Sequence, residues 1–140
     1  MEGLRPFHLA IPVHDLKKCR AFYRDVLGLE EGRSSEKWVD FNLFGHQLVI
    51  HEVETKSPER ESNPVDGHEV PVPHFGILLR SEGWQLLADR LRSKNVHFLI
   101  EPYVRFKGQS GEQSTMFFRD PSGNALEFKA FADDKQIFQK

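Results

Sequence analysis

Two strand-like runs, "FHLAIPV" at 7–13 and "HFGILLR" at 74–80, each carry a histidine near their start, and each gives way to a helical pattern. His8 stands seven residues before Asp15, and His74 stands seven before Ser81, the two expected helix caps, at the points where the hydrophobic period changes from two to about 3.6. An equal offset at two places is an internal repeat, even though little identity survives between the copies. It restricts the chain to two versions of one module.

After the first strand, Leu16, Cys19, Phe22, Tyr23, Val26 and Leu27 recur at helical spacing. Asp15 is the expected N-cap, because its carboxylate can accept a free backbone N–H of the first turn. Gly28 is the expected stop, since glycine takes the left-handed conformation at little cost. Strand candidates "KWVDFNLF" and "HQLVIHEV" follow, joined as a hairpin at Gly45. Residues 54–71 are charged and proline-bearing with little to bury, which predicts a linker. The pattern then restarts. "SEGWQLLADRLRSKN" is a helix with Trp84, Leu87, Ala88 and Leu91 on one face, and "VHFLIEPYV", "EQSTMFFRD" and "NALEFKAF" are strands, the last after the turn "DPSGN". The reading is an α+β chain of one domain over 1–140: module 1 at about 5–53, a linker at 54–71, module 2 at about 72–131 and a tail at 132–140, each module running strand, helix, three strands.

Composition narrows the function classes. A net charge of −2 argues against a general nucleic-acid surface, which needs a basic excess. No apolar run approaches the roughly 20 residues that span a bilayer. The N-terminal stretch lacks the pattern of a secretory leader, and a single cysteine fits a reducing cytoplasm, so a cytoplasmic location is expected. Cys19 lies in the first helical pattern and reads as a small buried apolar group.

Alternate side chains of a strand share a face. His8 and Ala10 then oppose Phe7, Leu9 and Ile11, and His74 and Gly76 oppose Phe75, Ile77 and Leu79. Glu127 and Ala125 oppose Leu126 and Phe128, and His51 goes with Val49 and Gln47. Each module thus offers one apolar face for a helix and a second face with two metal-capable groups, His8 and His51, then His74 and Glu127, where the small neighbours Ala10, Gly76 and Ala125 leave room. Glu52 points to the helix side. Imidazole and carboxylate suit Fe, Mn, Ni, Co or Zn, and two histidines with one carboxylate leave positions open for a substrate. The loop "YVRFKGQSGEQS" at 103–114 offers Arg105 and Lys107 as groups that can hold a substrate carboxylate or phenolate, against a plain solvated hairpin. Its glycines do not make a phosphate loop. His14, His46, His68 and His97 have no partner at ligand spacing.

The pieces "HLAIPVHDLKKCRAFYRDVLGL", "HFGILL" and "FFRDPSGNALEF" resemble the vicinal oxygen chelate superfamily, which includes glyoxalases, extradiol ring-cleaving dioxygenases, epimerases and the fosfomycin and bleomycin resistance proteins. The resemblance covers both repeats. It implies paired βαβββ modules forming a cup around a divalent metal, with His8, His74 and Glu127 as ligands. It places His51 where glyoxalases carry a glutamate, as a fourth ligand or an acid–base group. Three readings follow. One is an extradiol-type dioxygenase with Fe(II), acting on a small vicinal-oxygen substrate. The second is a glyoxalase- or epimerase-like isomerase or lyase on Ni, Co or Zn. The third is a metal-free binding or resistance protein. The resemblance also implies a homodimer, the site closing within one chain or across two.

Overall fold

The computed structural model describes residues 3–54 and 62–140. It divides into two compact units, Met1–Pro58 with Asp120–Asn124, and Glu59–Arg119 with Ala125–Lys140. In the first unit, strand β1 (His8–Val13) leads into helix α1 (Leu16–Ala21), which continues as a π-helical turn over Phe22–Val26. Strands β2 (Glu31–Ser34), β3 (Trp38–Leu43) and β4 (His46–Glu52) follow. The sheet order is β1-β4-β3-β2, with β1 parallel to β4 and the other pairs antiparallel.

The second unit opens with a hairpin, β5 (Ser62–Val65) and β6 (His68–Pro71), a two-stranded sheet of its own. Then come β7 (His74–Phe75), helix α2 (Ser81–Ser93), β8 (Phe98–Arg105), β9 (Gln113–Arg119), β10 (Ala125–Phe131) and a short 3-10 turn at Asp134–Gln136. The order β7-β10-β9-β8, with β7 parallel to β10, repeats the wiring of the first sheet. The α+β class and the doubled βαβββ pattern are therefore as expected.

Each sheet buries much of its expected apolar face under its helix, although Phe7 is exposed and Leu9, Phe75, Ile77 and Leu79 are only half-buried. In the first unit Leu16, Cys19, Tyr23 and Leu27 meet Ile11, Val13, Val39, Phe41, Leu48 and Ile50, all buried. In the second, the buried face of α2 is Trp84, Leu87, Ala88 and Leu91. Its Trp84 Nε1 donates to the Phe128 carbonyl across 2.9 Å. Burial of side chains this size contributes roughly 1.5–3 kcal/mol each. Asp15 caps α1 by accepting from Lys18 N at 3.0 Å, and Gly28 takes a φ of 74° beyond the helix. Glu52 faces the helix side, where its Oε2 accepts from Leu16 N at 2.9 Å.

Three expectations change. Ser81 begins α2 rather than capping it; Arg80 holds the cap position without a side-chain bond. Strand β2, "EGRS", has too little apolar pattern to declare itself. The expected linker, 54–71, lies partly outside the described residues, but its portion from Ser62 to Pro71 is the β5–β6 hairpin. Val70 is buried and Val65 packs against it, so this polar segment has something to bury after all.

The turn "DPSGN", Asp120–Asn124, packs within the first unit. Asp120 Oδ1 accepts from Ser122 N and Asn124 N, both at 2.9 Å, while Tyr23 Oη donates to Oδ2 at 2.8 Å. Asn124 Nδ2 donates to the Pro12 carbonyl at 2.8 Å. This recognisable sequence signature is therefore a turn whose buried ends, Asp120 and Asn124, are hydrogen-bonded to Tyr23 of the π-helical turn and Pro12 of β1 in the same unit.

Candidate functional site

In the second unit, β10 projects Glu127 and Lys129 on the face away from α2, with Phe117 and Thr115 directly across the ladder. His74, at the start of β7, stands beside them. Its Nε2 lies 3.2 Å from Glu127 Oε1, and its Nδ1 lies 2.7 Å from the Pro71 carbonyl oxygen. A carbonyl only accepts, so Nδ1 carries the hydrogen; the protonated ring also donates from Nε2 to Glu127, and loss of that proton leaves a lone pair facing the carboxylate. Thr115 Oγ1 donates to the other oxygen, Glu127 Oε2, at 2.5 Å, and Lys129 Nζ is 3.8 Å from Oε1. The His74 ring meets Phe117 edge-on, with centroids 5.1 Å apart.

Electrostatics follow from that packing. Burial pushes the Glu127 carboxyl up, but hydrogen bonds from His74 and Thr115 and the charge on Lys129 outweigh it and leave the group below its ordinary value. The hydrogen bond to Glu127 raises His74 above the usual histidine value, against the opposing effect of its burial. A lone pair and a carboxylate facing each other, each oriented from behind, suit a shared cation, either a proton or a metal ion.

These groups line a pocket of about 160 Å³ with Val65, Val70, Ile100, Tyr103 and Arg105. Phe117 belongs to this pocket, whereas Phe118 faces the core and stacks on Phe128, with centroids 5.9 Å apart. Arg105 lines the pocket but is engaged: its Nε donates to Asp66 of the hairpin turn. Lys107 is exposed on the following loop and is not among the lining residues.

In the first unit, exposed His8 opens β1, and its Nδ1 shares a 2.7 Å hydrogen bond with Gln47 Oε1. Gln47 is held in turn by Asp40 at 3.3 Å. As in His74, Nδ1 is tied from behind and Nε2 is the nitrogen left to present.

The ladder registers correct one correspondence. His8 is level with Gln47, and His74 is level with Ala125. Counting along the paired strands, Val49 takes in the first unit the place that Glu127 has in the second. His51 is level with Pro12 and so takes the place of Lys129, which is level with Leu78. His51 is four residues from Gln47 along β4, roughly 13 Å at about 3.3 Å per residue, too far to share a ligand sphere with His8. It is exposed, with Trp38 across the ladder at 6.5 Å between ring centroids.

The structure thus brings His74 and Glu127 together within the second unit. Among the described residues, no group of three or more His, Cys, Asp or Glu side chains gathers at metal-ligand distance. Sequence reasoning missed Thr115, Lys129, Tyr103 and the hairpin valines. Thr115 and Lys129 were accessible from alternation once Glu127 was placed, because they share its face; the others depend on a hairpin read as a linker.

Doubled βαβββ units, each opened by a histidine tied through Nδ1, define the class of protein. The family model described as Glyoxalase/Bleomycin resistance protein/Dioxygenase superfamily matches residues 5–128. The chain belongs to that superfamily. A solved structure of a glyoxalase/bleomycin resistance protein/dioxygenase from Alicyclobacillus acidocaldarius is 32% identical, with a TM-score of 0.82, over 99% of this chain and 100% of that one. The fold is also similar to a genomically encoded fosfomycin resistance protein from Listeria monocytogenes, at 22% identity and a TM-score of 0.68 over 97% and 98% of the two chains. A lactoylglutathione lyase from Agrobacterium tumefaciens is 21% identical, with a TM-score of 0.65 over 93% and 96%. Among the described residues, no helix is long and apolar enough to cross a membrane.

Proposed function

We propose that the chain is a metal-dependent enzyme of this superfamily, an oxidoreductase of the extradiol-dioxygenase type acting on a small substrate with vicinal oxygens. The observation that carries this reading is the matched preparation of two histidines, His8 on Gln47 and His74 on the Pro71 carbonyl, with His74 already facing Glu127. His8, His74 and Glu127 are the ligands, with Fe(II) the first choice of ion and Mn, Ni, Co or Zn the alternatives; His8 comes from this chain or from a second copy in a homodimer. A divalent ion in such a set supplies Lewis acidity and, for iron, redox chemistry with open coordination positions.

The remaining residues shape what enters. Phe117, Ile100, Val65 and Val70 exclude water from the second unit's pocket, and Lys129 and Arg105 attract an ionised oxygen. Lys107, outside the pocket, meets only the outer end of a substrate. His51 is the acid–base group in this reading, supported by its exposure on the face that carries His8. The glyoxalase- or epimerase-like alternative draws on a fourth ligand from the first module, and the position there that corresponds to Glu127 is Val49, which favours the two-histidine, one-carboxylate set.

The test is oxygen uptake by anaerobically Fe(II)-loaded protein against a panel of catechols. Uptake matched one-to-one by catechol loss, and lowered in kcat more than in KM by His51→Ala, is the expected result. No uptake with any catechol by fully loaded protein removes the oxygenase assignment.

A further inference from the structure

We infer that Asp66, at the turn of the β5–β6 hairpin, is a built-in competitor for Arg105, and that the substrate which displaces it is a small carboxylate with an apolar body. This rests on the reading above that the second unit's pocket receives the substrate, and it adds the substrate's charge and the device that screens it.

The hairpin is built to place one carboxylate. Asp66 and Gly67 have φ values of 49° and 78°, the left-handed pair of a tight two-residue hairpin connection. That turn projects Asp66 to the pocket rim, where both Arg105 Nε and Tyr103 Oη donate to its Oδ2, the tyrosine at 3.1 Å. Behind the turn, Val65 and Val70 pack with Ile100, Phe117 and Tyr103, so the hairpin is one wall of the pocket. Its strands pair only with each other. An isolated two-stranded hairpin is marginal in water, so side-chain contacts with the underlying sheet hold it in place.

Arg105 does not need Asp66 for its position. Its guanidinium lies 4.8 Å from the centre of the Phe106 ring, a second contact independent of the carboxylate. A guanidinium has five donors in a fork that matches a carboxylate, and Asp66 engages it through Nε. A ligand carboxylate offers the same chemistry as Asp66, with Lys129 in the same pocket as a second cation. Val65, Val70, Ile100 and Phe117 give the ligand's body an apolar wall, while His74, Glu127, Thr115 and Tyr103 complete the lining. Because the latch must open before the ligand can pair with Arg105, apparent affinity is lowered by the fraction of chains in which it is closed.

The test is calorimetric titration of metal-stripped protein with benzoate and with its neutral counterpart benzamide. Asp66→Asn removes the charge and keeps a residue that tolerates the left-handed turn. The expected result is benzoate binding about fivefold tighter in Asp66→Asn, the size of one partly exposed ion pair, with benzamide unchanged and the gain abolished in Asp66→Asn/Arg105→Gln. Equal gains for both ligands would mean a merely loosened hairpin and would overturn the proposal, as would no gain, or no benzoate binding by either protein. Absence of bound metal in the purified protein bears on the metal reading and leaves this titration standing; full metal occupancy without a benzoate gain removes the latch alone.

Discussion

Gly76 has no side chain because the chain leaves no room for one: a Cβ built there falls on the carbonyl oxygen of Glu127. Alternation had suggested that a small residue at 76 opens space on the metal-facing side. The actual reason is a close backbone approach that seats β10 beside the segment after His74, and strand pattern alone does not reveal such an approach. Gly76→Ala must push the two backbones apart and is expected to displace Glu127 from His74. The check is metal content of the variant beside thermal unfolding: occupancy should fall even in preparations that remain folded. Cys19 makes the opposite kind of statement. It is fully buried, 3.1 Å from Ser122 Oγ, and burial pushes its thiol up to about 11. With that value raised, the thiolate stays negligible through neutral pH, and the thiol is expected to resist iodoacetamide in the native protein at pH 8 and to react once urea unfolds it. Native labelling at the unfolded rate would contradict the placement. The faces that carry His8, His74 and Glu127 were legible in the sequence because period-two alternation needs only local information. The standing of His51 could not, since it depends on which residue of β4 lies level with His8.

The turn Asp120–Asn124 gathers four hydrogen bonds on one buried carboxylate, and that role explains why "DPSGN" stands out in the sequence. Asp120 is buried and accepts from Tyr23 Oη, Asn124 Nδ2 and two backbone N–H groups. Tyr23→Phe removes one donor to a buried carboxylate and is expected to destabilise the fold by about 1.5–3 kcal/mol, read as a lower urea midpoint at an unchanged slope. The turn was legible as a turn; its docking partners, some hundred positions away in the chain, were not. The two phenylalanines of β9 separate core from site. Phe118→Ala opens a cavity against Phe98 and Phe128 and is expected to cost about 3–5 kcal/mol without altering metal stoichiometry in the folded fraction. The hairpin β5–β6 was misread as linker because its charged and proline residues dominate the composition. Its Asp-Gly pair between Val65 and Val70 was the available signal, a short-range hairpin cue outweighed by the polar average around it.

At the scale of the whole molecule, one module has been written twice and then differentiated. The two sheets share strand order and the parallel pairing of first and last strands. The faces that carry the histidines differ: the second has a carboxylate and a lysine where the first has Val49 and His51. The doubling was readable from the near-equal spacing between each histidine and its helix start, eight residues from His8 to Leu16 and seven from His74 to Ser81, because spacing outlasts sequence identity. The ligand set proposed here joins His8 of one module to His74 and Glu127 of the other, so it stands or falls on metal binding. The deciding measurement is elemental analysis of protein purified without oxygen, beside His74→Ala and Glu127→Gln shown by circular dichroism to be folded. The account predicts a near-stoichiometric first-row divalent metal in the parent chain, iron above all, and its loss in both variants. No metal in the parent, and none taken up on reconstitution, would contradict it.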